Sequence, residues 1–398
     1  MALVFVNRFY WPATPATGQL LTDLASHMAA QGWSVTVITS TPTGHPLPAF
    51  ECHEGVSIVR THGLCGTRRG LVAKAVAFST FALAATVQLW RHTRRGDVVV
   101  ALTDPPLIGV LAQWVARTRG ARLVHWVHDI YPEIAVALSR SRLPDALRPW
   151  RNAAWRGADH CVTLGQDMAD VLRSAGVSPS RLSVIPNWAP VGVSALPRNA
   201  PERLALRREW NLEDQFVVGY SGNLGRVHDL DPIVAAAALL KDDPTIAFVF
   251  VGDGPQHAAL RDRVQSAKLD NVRFRPTQPR DRLSASLGIA DLHLVTLRPG
   301  CERFVFPSKL YGIAAAGRPV LFVGPPDCEI ARQVAASGIG AAVDGSRVAD
   351  IAAEIRRFAA SPPLVAQSGA AAIRFAEQTG ANKALAQWHS LLAPLARS

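Results

Sequence analysis

Phe304-Val-Phe-Pro-Ser-Lys-Leu-Tyr-Gly-Ile-Ala-Ala-Ala-Gly-Arg-Pro-Val-Leu, residues 304–321, predicts a short helix that leads directly into a buried strand. The helix begins at Ser308 and Lys309 and ends at Gly317, and the strand is entered through Pro319. Lysine is scarce in this chain, with five lysines against thirty-seven arginines. A lysine at a helix start, where free N–H groups favour anions, indicates a diphosphate site. A βα unit whose lysine points into water is the equally compatible alternative.

A second turn of the same kind occupies residues 216–226, Phe-Val-Val-Gly-Tyr-Ser-Gly-Asn-Leu-Gly-Arg, where a buried strand runs into a glycine loop. Gly222 and Asn223 open the loop, and Arg226 has the geometry to hold two phosphate oxygens at once. Such a turn is a weak signal alone, since many parallel sheets contain one. Because ligands bind at the carboxyl ends of parallel strands, Arg226 and Lys309 together predict one anion site.

The composition limits the classes of protein that fit. The chain has 398 residues, enough for two domains, and is 48% hydrophobic, which indicates a globular protein. Its formal net charge is +11, and residues 1–195 hold 18 basic and 11 acidic residues. Such an excess favours an anionic membrane, phosphorylated substrates or nucleic acid as partners. No zinc-finger, RNA-recognition or basic-zipper pattern occurs, so we expect no nucleic-acid partner.

The five cysteines indicate a reducing compartment, because they are scattered, odd in number and form no C-x-x-C pair. Cys52, His53, His62 and Cys65 fall close together, but adjacent residues of a strand point to opposite faces. We therefore expect no metal there. The opening residues 1–6 lack a basic leader and read as a buried strand, which favours a cytoplasmic protein.

Residues 71–90 are the one stretch long enough to cross a bilayer. The stretch is rich in alanine, contains Lys74 and lies inside an alternating strand–helix pattern, so spanning would split a single sheet. Two alternatives are left open: a buried helix of the domain, or a helix that rests on an anionic leaflet. The second is favoured by the basic residues that flank it, Arg68, Arg69, Arg91, Arg94 and Arg95.

Strand and helix patterns alternate along nearly the whole chain, which predicts an α/β protein with two doubly wound, Rossmann-like parallel sheets facing a cleft. We assign residues 1–188 to the first domain and residues 203–368 to the second. The Pro- and Ala-rich residues 189–202 read as a linker. Residues 369–398 read as a C-terminal helical stretch that packs back toward the first domain.

Eight segments in order carry a resemblance to a known family: residues 9–19, residues 27–39, Thr103-Asp-Pro-Pro, His128-Asp-Ile-Tyr-Pro-Glu, Ile185-Pro-Asn-Trp, Val251-Gly-Asp-Gly-Pro, Pro307-Ser-Lys-Leu-Tyr and Ala316-Gly-Arg-Pro-Val. With them the chain resembles a GT-B-fold retaining glycosyltransferase of family 4. It is most similar to the bacterial branch that builds lipid-linked O-antigen and capsule polysaccharides, such as the N-acetylfucosamine transferases.

The resemblance implies transfer of a sugar from a nucleoside diphosphate sugar to an acceptor hydroxyl, with the acceptor on the first domain and the donor on the second. It implies no metal cofactor, so fixed cations must stabilise the leaving diphosphate. Arg226 and Lys309 would do so, together with Gly222, Asn223 and Ser308. Gly18 would bring its backbone close to the diphosphate.

The sequence departs from the family at a pair of glutamates, the second of which contacts the donor ribose. Their positions fall on Phe304 and Gly312, and Glu302 stands two residues early. Glu329 is a candidate replacement, although a glutamate there also suits a helix N-terminus. Asp229-Leu-Asp231 has the form of a metal-binding D-x-D, but Asp231 precedes a proline and reads as a helix N-cap.

In the first domain we expect Asp129, with His128 beside it, to orient the acceptor hydroxyl or accept its proton. The alternative for Asp129 is a structural cap before a Tyr-Pro turn, and Glu133 is a weaker neighbour. The implied acceptor is a polyprenyl-diphosphate-linked saccharide, which places the protein peripherally on the cytoplasmic face of the inner membrane. Two other functions fit the same fold: a soluble transferase with a small-molecule acceptor, and a sugar-nucleotide 2-epimerase.

Overall fold

The chain divides into two compact units, residues 1–186 with 382–398, and residues 187–381. Both units are built on mostly parallel sheets covered by helices, so the predicted α/β class with two doubly wound sheets is confirmed. In this computed structural model the described residues are 2–13, 15–41, 47–61, 71–139 and 141–397.

The first unit is organised around one sheet, whose strands are β1 (Ala2–Val6), β2 (Ser34–Ser40), β3 (Phe50–His53), β4 (Val56–Thr61), β5 (Val98–Ala101), β6 (Arg122–Val127), β7 (His160–Thr163) and β8 (Leu182–Val184). They pair in the order β3-β4-β2-β1-β5-β6-β7-β8, and only β3 runs antiparallel to its neighbour. The strand order reverses between β1 and β5. This reversal is the point at which doubly wound sheets bind ligands.

Strand β3 is not anticipated by the sequence, because its four residues carry no run of apolar or β-branched side chains. It pairs with β4 through a two-residue turn at Glu54 and Gly55, whose φ angles are 48° and 77°. Two left-handed residues in succession match the twist of a tight hairpin. The hairpin places β3 at the edge of the sheet.

Two of the four residues considered for a metal site, Cys52 and His53, lie on this hairpin. Cys52 is exposed, and the His53 ring stacks on Trp11 with centroids 3.9 Å apart. His62 and Cys65 lie outside the described residues. Within the described ranges, no three His, Cys, Asp or Glu side chains form a group able to hold a metal ion.

The helices of the first sheet are α1 (Ala16–Ala30), α2 (Leu71–His92), α3 (Ile108–Arg119), α4 (Glu133–Ser139), α5 (Arg148–Arg156) and α6 (Gln166–Ser174). The sequence predicts α1, α2 and α3 but not the last three, which are short. Helix α5 buries Arg151 with Ala154 and Trp155, so an arginine replaces one of the apolar residues that would reveal its period.

Helix α2 covers the stretch that is long enough to cross a bilayer. Its Phe81, Ala85 and Leu89 recur every four residues and are buried against the sheet. Among the described helices, none combines the length and apolar character needed for a membrane span. The flanking Arg68 and Arg69 lie outside the described residues.

The second unit contains a wholly parallel sheet, with strands β9 (Phe216–Ser221), β10 (Ile246–Val251), β11 (Val272–Arg275), β12 (Leu292–Thr296), β13 (Val320–Val323) and β14 (Gly340–Val343). Their order is β11-β10-β9-β12-β13-β14. The reversal point lies between β9 and β12, so their carboxyl ends are where a ligand is expected. The two cationic turns found in the sequence follow these two strands.

The later helices are α7 (Pro201–Glu209), α8 (Asp231–Leu239), α9 (His257–Ser266), α10 (Leu283–Gly288), α11 (Lys309–Ala315), α12 (Glu329–Ser337), α13 (Val348–Ala359), α14 (Pro362–Gln378) and α15 (Ala381–Arg397). Helix α7 begins inside the predicted linker 189–202, so the linker ends earlier in the structure than the sequence predicts. Buried Arg203 and Arg207 of α7 contact the carboxylate of Asp291 at 3.2 and 3.1 Å. These ion pairs hold the segment on the second unit, whose boundary is residue 187.

The C-terminal stretch 369–398 also differs from its prediction, because it contains two helices that belong to different units. The Phe375 ring of α14 stacks on Tyr311 of α11 at 6.2 Å, within the second unit. Helix α15 belongs to the first unit, where buried Trp388 contacts Trp126 of β6 with ring centroids 4.8 Å apart. Only α15 packs on the first unit.

Candidate functional site

The loop after β9 begins with a glycine that the backbone requires. Gly222 has φ of 123°, and a Cβ added to neighbouring Gly252 would lie 2.3 Å from the Gly222 carbonyl oxygen. The Tyr220 hydroxyl donates a hydrogen bond of 2.9 Å to the Asn223 carbonyl oxygen. The loop is therefore held by close backbone packing and one side-chain bond, with little freedom to move.

Lys309, the first residue of α11, reaches this loop from the neighbouring strand connection. Its Nζ lies 3.6 Å from the centroid of the Tyr220 ring, in cation–π range. A Cβ on Gly222 would lie 3.8 Å from Lys309 Cε, which is an ordinary van der Waals contact and shows that the lysine side chain passes close to this glycine. The Nζ atom is out of contact with solvent and has no hydrogen-bond partner among the described residues.

The charge state of this amine is set by its surroundings. Burial lowers the pKa of Lys309 well below its ordinary value. Two neighbouring imidazoles do not add charge at neutral pH. Burial, with a smaller contribution from Lys309, lowers the pKa of His228 to about 3, and burial lowers the pKa of His293 to about 4. A desolvated amine without a counter-charge is well suited to receive an anion, which would restore its charged form.

The other residues predicted to hold the diphosphate lie on the same two connections. Asn223 and Arg226 are exposed, and Ser308 is half-buried directly before Lys309. The Arg226 carbonyl accepts a hydrogen bond of 3.2 Å from Arg298 Nε, while the Arg226 side chain has no ion pair in the described part of the chain. The structure thus brings Lys309 close to Gly222, while Arg226, further along the same loop, is exposed to solvent.

Gly312 occupies the position of the family's second glutamate, and its surroundings are apolar. It is buried in α11, where an added Cβ would lie 3.7 Å from Leu287 Cδ1 and 3.8 Å from Pro190 Cδ. A carboxylate at this position would face hydrocarbon. Glu329 opens α12 after β13, and its carboxylate accepts a hydrogen bond of 3.1 Å from Gln333 Nε2. Burial and, second, the charge of Glu329 raise the pKa of Tyr311, which places Glu329 near α11.

The possible D-x-D pair is engaged in ion pairs. Asp231 is the first residue of α8 and pairs with Arg263, while Leu230 holds the N-cap position predicted for Asp231. Asp229 lies 3.8 Å from Arg298 and accepts from the Asp231 N–H at 3.4 Å. Both carboxylates thus have basic partners, which favours a helix-start role over metal binding.

Three ionisable side chains meet at the reversal point of the first sheet, where β1, β5 and β6 end. The Arg8 guanidinium contacts both oxygens of Asp104, with Nε–Oδ1 at 2.9 Å and Nη2–Oδ2 at 3.2 Å. The same guanidinium lies over the rings of Phe9 and Phe78, at 4.4 and 4.6 Å. Asp129 follows β6. Its position is fixed by the hydrogen bond from its backbone N–H to the Thr103 hydroxyl, which is 3.1 Å long.

The Asp129 carboxyl holds its proton more tightly than an ordinary aspartate. Burial and, second, the negative charge of Asp104 raise the pKa of Asp129 to about 7. Burial also raises the pKa of Asp104, although Arg8 acts in the opposite direction. A carboxyl that titrates near neutral pH has the driving force to exchange a proton with a hydroxyl.

His128 lies in the core rather than in a polar environment. Its ring is 4.6 Å from the ring of Trp126, and its side chain is buried. Burial lowers the pKa of His128 to about 3, so the imidazole stays neutral, and its Nε2 has no hydrogen-bond partner among the described residues. The structure favours a packing role for His128, which alters the predicted pairing with Asp129.

Glu133 is a structural carboxylate. Both of its oxygens contact the Arg151 guanidinium, at 2.6 and 2.9 Å, and Arg148 Nε lies 3.2 Å from Oε1. Arg151 also donates to the Tyr131 carbonyl oxygen at 2.6 Å. A carboxylate held in this way joins α4 to α5 and is not open to a substrate proton.

Glu133→Ala should therefore destabilise the protein without removing its chemistry. Loss of one partner leaves the buried Arg151 uncompensated, which costs about 3 kcal/mol of unfolding free energy. Urea unfolding followed by circular dichroism measures the loss. Glu354→Ala, which breaks the exposed pair with Arg357, is the control and should change stability by at most about 0.5 kcal/mol. Equal stability of the two variants would contradict the structural assignment of Glu133.

Gly18 has a packing reason to be glycine. A Cβ at this position would lie 3.2 Å from the backbone carbon and from the Cβ of Phe9. The glycine therefore lets α1 approach the loop that follows β1. An approach of its backbone to a diphosphate stays a prediction.

Arg8, Asp104 and Tyr220 are site residues that sequence reasoning missed. Each lies in or just after the last residues of a strand next to a reversal point. That position is the signal that identifies them, since the carboxyl ends of the innermost strands carry ligands in doubly wound sheets. Asp104 also stands inside the Thr103-Asp-Pro-Pro segment.

Two family patterns match the chain in succession. The pattern described as Glycosyltransferase Family 4 covers residues 17–191, and the pattern described as Glycosyl transferases group 1 covers residues 202–375. The first match contains Asp104 and Asp129, and the second contains the glycine loop and Lys309.

Curated relatives match over most of their length. The chain is 30% identical over 353 residues to the probable glycosyltransferase WbjE of Pseudomonas aeruginosa, covering 85% of each protein. It is 26% identical over 392 residues to the putative colanic acid biosynthesis glycosyl transferase WcaI of Escherichia coli K12, covering 93% of this chain and 94% of the relative. It is 26% identical over 412 residues to a D-inositol 3-phosphate glycosyltransferase of Streptomyces scabiei, covering 96% and 87%.

A solved structure shares the fold over the whole chain. Anabaena HepE, crystallised with UDP-glucose, superposes with a TM-score of 0.74 at 17% identity, covering 99% of this chain and all of the other.

Proposed function

Because the chain belongs to the GT-B glycosyltransferases, with a family 4 domain followed by a group 1 domain, we propose that it is a retaining, nucleotide-sugar-dependent transferase. One observation carries the proposal: the buried Lys309 amine lies against the Tyr220 ring close to Gly222 and has no hydrogen-bond partner in the described chain. A diphosphate oxygen would give this amine both a hydrogen-bond acceptor and a counter-charge. The complex of HepE with UDP-glucose supports a nucleoside diphosphate sugar as the donor.

The proposed chemistry follows from where charge develops. As the glycosyl bond breaks, the diphosphate gains negative charge, and Lys309 and Arg226 would stabilise it from two connections of one sheet. Backbone N–H groups at Asn223 and Ser308 would add further donors, whereas the Gly222 N–H donates to the Val251 carbonyl oxygen at 2.9 Å and holds the loop in place. The two cations would take the role that a metal has in other transferases.

The ribose and the acceptor use other residues. Glu329 would offer its carboxylate to the donor ribose, in place of the glutamate missing at Gly312. In the first domain, Asp129 would orient the acceptor hydroxyl or receive its proton, while Arg8 and Asp104 fix the surrounding charge. We propose the single-step route to retention, in which the acceptor would attack from the face that the diphosphate leaves and a phosphate oxygen would also be available as a base.

We propose a polyprenyl-diphosphate-linked saccharide as the acceptor, at the cytoplasmic face of the inner membrane. WcaI is named for colanic acid biosynthesis, a polysaccharide pathway, and it matches this chain nearly end to end. The basic excess of residues 1–195 suits an acceptor held at an anionic surface. N-acetylfucosamine is one candidate sugar of this branch.

A second candidate function is transfer to a water-soluble acceptor. It is favoured by the D-inositol 3-phosphate glycosyltransferase, whose named acceptor is a small phosphorylated polyol. Arg8 would then bind the acceptor phosphate directly, and no lipid would be needed.

The test combines binding and turnover. Among uridine, guanosine and thymidine diphosphate sugars, the donor should raise the melting temperature, by the equivalent of about 2.7 kcal/mol at a hundred times its dissociation constant. Release of free nucleoside diphosphate should then require a lipid-linked saccharide and should persist with a chelator present. Release with inositol phosphate alone would favour the second candidate. Conversion of the sugar without any acceptor would indicate an epimerase and contradict transfer.

A further inference from the structure

We propose that α2, α3 and α5 present a docking face for an anionic lipid bilayer, formed by Leu83, Val87, Trp90, Trp114, Leu147 and Trp150. We call these six residues the tryptophan face. The proposal rests on the proposed function only in placing the acceptor in a membrane. It extends well beyond the single helix that the sequence singles out, since half of the face lies outside residues 71–90.

The topology places the three helices on one side of the first sheet. The crossovers from β4 to β5, β5 to β6 and β6 to β7 all advance in the same direction along the sheet, so right-handed connections put their helices on the same face. Helix α3 touches both neighbours. The Arg119 guanidinium lies 4.6 Å from the Trp90 ring of α2, and Gln113 Nε2 donates to the Ala154 carbonyl of α5 at 3.1 Å.

Helix α2 is apolar on both of its sides, which is unusual for a surface helix. Its inner side buries Phe81 and Leu89, whereas Leu83 and Val87 point outward with 66% and 49% of their surface exposed. A helix that is apolar all round is expected to be buried on all sides. The outer side of α2 therefore lacks the apolar partner that its composition calls for.

Three tryptophans continue this surface over the neighbouring helices. Trp90, Trp114 and Trp150 expose 45%, 56% and 69% of their surface, and Leu147 in the turn before α5 exposes 45%. Tryptophan combines a large apolar ring with one N–H donor, which makes it favourable at the boundary between lipid tails and headgroups. Large exposed apolar side chains concentrated on three adjacent helices indicate an interaction site.

The charges around the tryptophan face select the partner. Helices α2, α3 and α5 contain seven basic residues and no acidic residue, and of the seven the buried Arg151 is paired with Glu133. The turn before α5 adds one carboxylate, that of Asp145. That carboxylate is already paired with Arg148 at 2.7 Å. Exposed arginines lie on the same three helices or on the turns next to them, at positions 91, 94, 95, 117, 142 and 156. Such arginines attract the anionic headgroups of a bilayer while the rings enter the interface.

Two other occupants fit these observations less well. A second copy of the chain would bring two strongly basic surfaces together, and charge is depleted at the centre of protein interfaces. A single-stranded nucleic acid would use the arginines and the rings, but Leu83, Val87 and Leu147 offer no aromatic surface for a base. A bilayer would contact the aliphatic side chains, the tryptophan rings and the arginines at the same time.

The experiment measures partitioning of the full chain onto vesicles of phosphatidylglycerol mixed with phosphatidylcholine. Trp114→Gln combined with Trp150→Gln should lower the partition coefficient about tenfold or more, since binding scales with the apolar area inserted. The control pair is Leu239→Gln with Ile373→Gln, which removes exposed apolar residues from the second unit and should leave partitioning unchanged. Melting temperatures of both pairs should match the parent, because all four residues are exposed.

A second measurement does not depend on variants. Brominated lipids should quench the tryptophan fluorescence of the parent protein and quench the Trp114, Trp150 double variant much less. Equal partitioning of the two proteins, or quenching that ignores the substitutions, would overturn the docking face. Two further results would overturn it. One is a dimer in sedimentation that the double variant, but not the control pair, abolishes. The other is binding to single-stranded oligonucleotides that the double variant, but not the control pair, abolishes. The rise in melting temperature that the donor nucleotide sugar produces, measured in parallel, should be the same for the parent and the double variant, so failed docking and failed transferase function give different results.

Discussion

Lys309→Met is expected to lower the transfer rate by about 10²–10³-fold, the loss typical for removal of one preorganised charge partner of a leaving group. The amine is buried, has no hydrogen-bond partner among the described residues, and lies against the Tyr220 ring close to Gly222. Methionine keeps the length and the contact with the ring but removes the charge. The fold should therefore stay intact while the stabilisation of the developing diphosphate charge is lost.

The measurement is kcat with the donor identified by thermal shift, together with the melting temperature of the variant. Lys241→Met is the matched control, because Lys241 is exposed at the end of α8 and should be silent in both assays. Burial of an uncompensated amine is unfavourable, so Lys309→Met should melt at the same temperature as the parent protein or above it. A rate within threefold of the parent would remove Lys309 from the diphosphate site.

The strand, loop and helix that form the candidate donor site were predictable because their signals are local in sequence. A buried strand followed by glycines predicts the β9 loop, and a lysine at a helix start predicts the beginning of α11. That both lie at the reversal point follows from the parallel strand order. The contact between Lys309 and the Tyr220 ring was not predictable, since it depends on how two connections distant in sequence pack together.

The acceptor side shows where sequence reasoning ends. Arg8 and Asp104 are 96 residues apart, and only the adjacency of β1 and β5 makes them partners. His128 stands beside Asp129 in sequence, but its ring packs against Trp126 of the same strand in an aromatic core that Trp388 of α15 completes. Position in the motif therefore predicts the environment of Asp129 correctly, since its carboxyl lies near other charged groups. The same reasoning is wrong for His128, whose ring lies in an apolar core.

The short helices were not predicted from the sequence, for a different physical reason. Helices α4, α5 and α6 have seven to nine residues, fewer than three turns, so a hydrophobic period has little room to appear. In α5 the buried face includes Arg151, whose charge is compensated by Glu133. An ion pair inside a domain replaces the apolar residue on which periodicity depends, and no local pattern reveals it.

Asp129→Asn is expected to lower kcat/KM by about 10²-fold or more, because proton transfer by a positioned group contributes on that order. The parent enzyme should also show a rise of kcat/KM with pH through about 7, as Asp129, whose pKa is raised to about 7, becomes ionised. The asparagine variant cannot titrate and should lose this rise. Asp170→Asn, which removes an exposed carboxylate paired with Arg173, is the control for a lost charge.

The same substitution should increase stability, because it removes a carboxyl that binds its proton more tightly in the folded chain than in the unfolded chain. An aspartate in the unfolded chain titrates near 3.9, so between about pH 4 and pH 7 the folded state keeps a proton that the unfolded state has released. Stability of the parent protein therefore falls as pH rises through this window and levels off above it. Asparagine removes the effect, so the gain in melting temperature should be larger at pH 8 than at about pH 4.5.

Opposite effects of Asp129→Asn on the reaction rate and on stability would distinguish a functional role of this carboxyl from a role in packing. A residue kept for its structural contacts loses stability when it is replaced, whereas a carboxyl held near a like charge for catalysis gains stability and loses rate. Loss of both rate and stability in Asp129→Asn would make Asp129 a structural cap before the Tyr131-Pro132 turn. The proton of the acceptor would then go to an oxygen of the departing diphosphate. Lys309, which would bind that diphosphate, would then influence both its departure and the proton transfer.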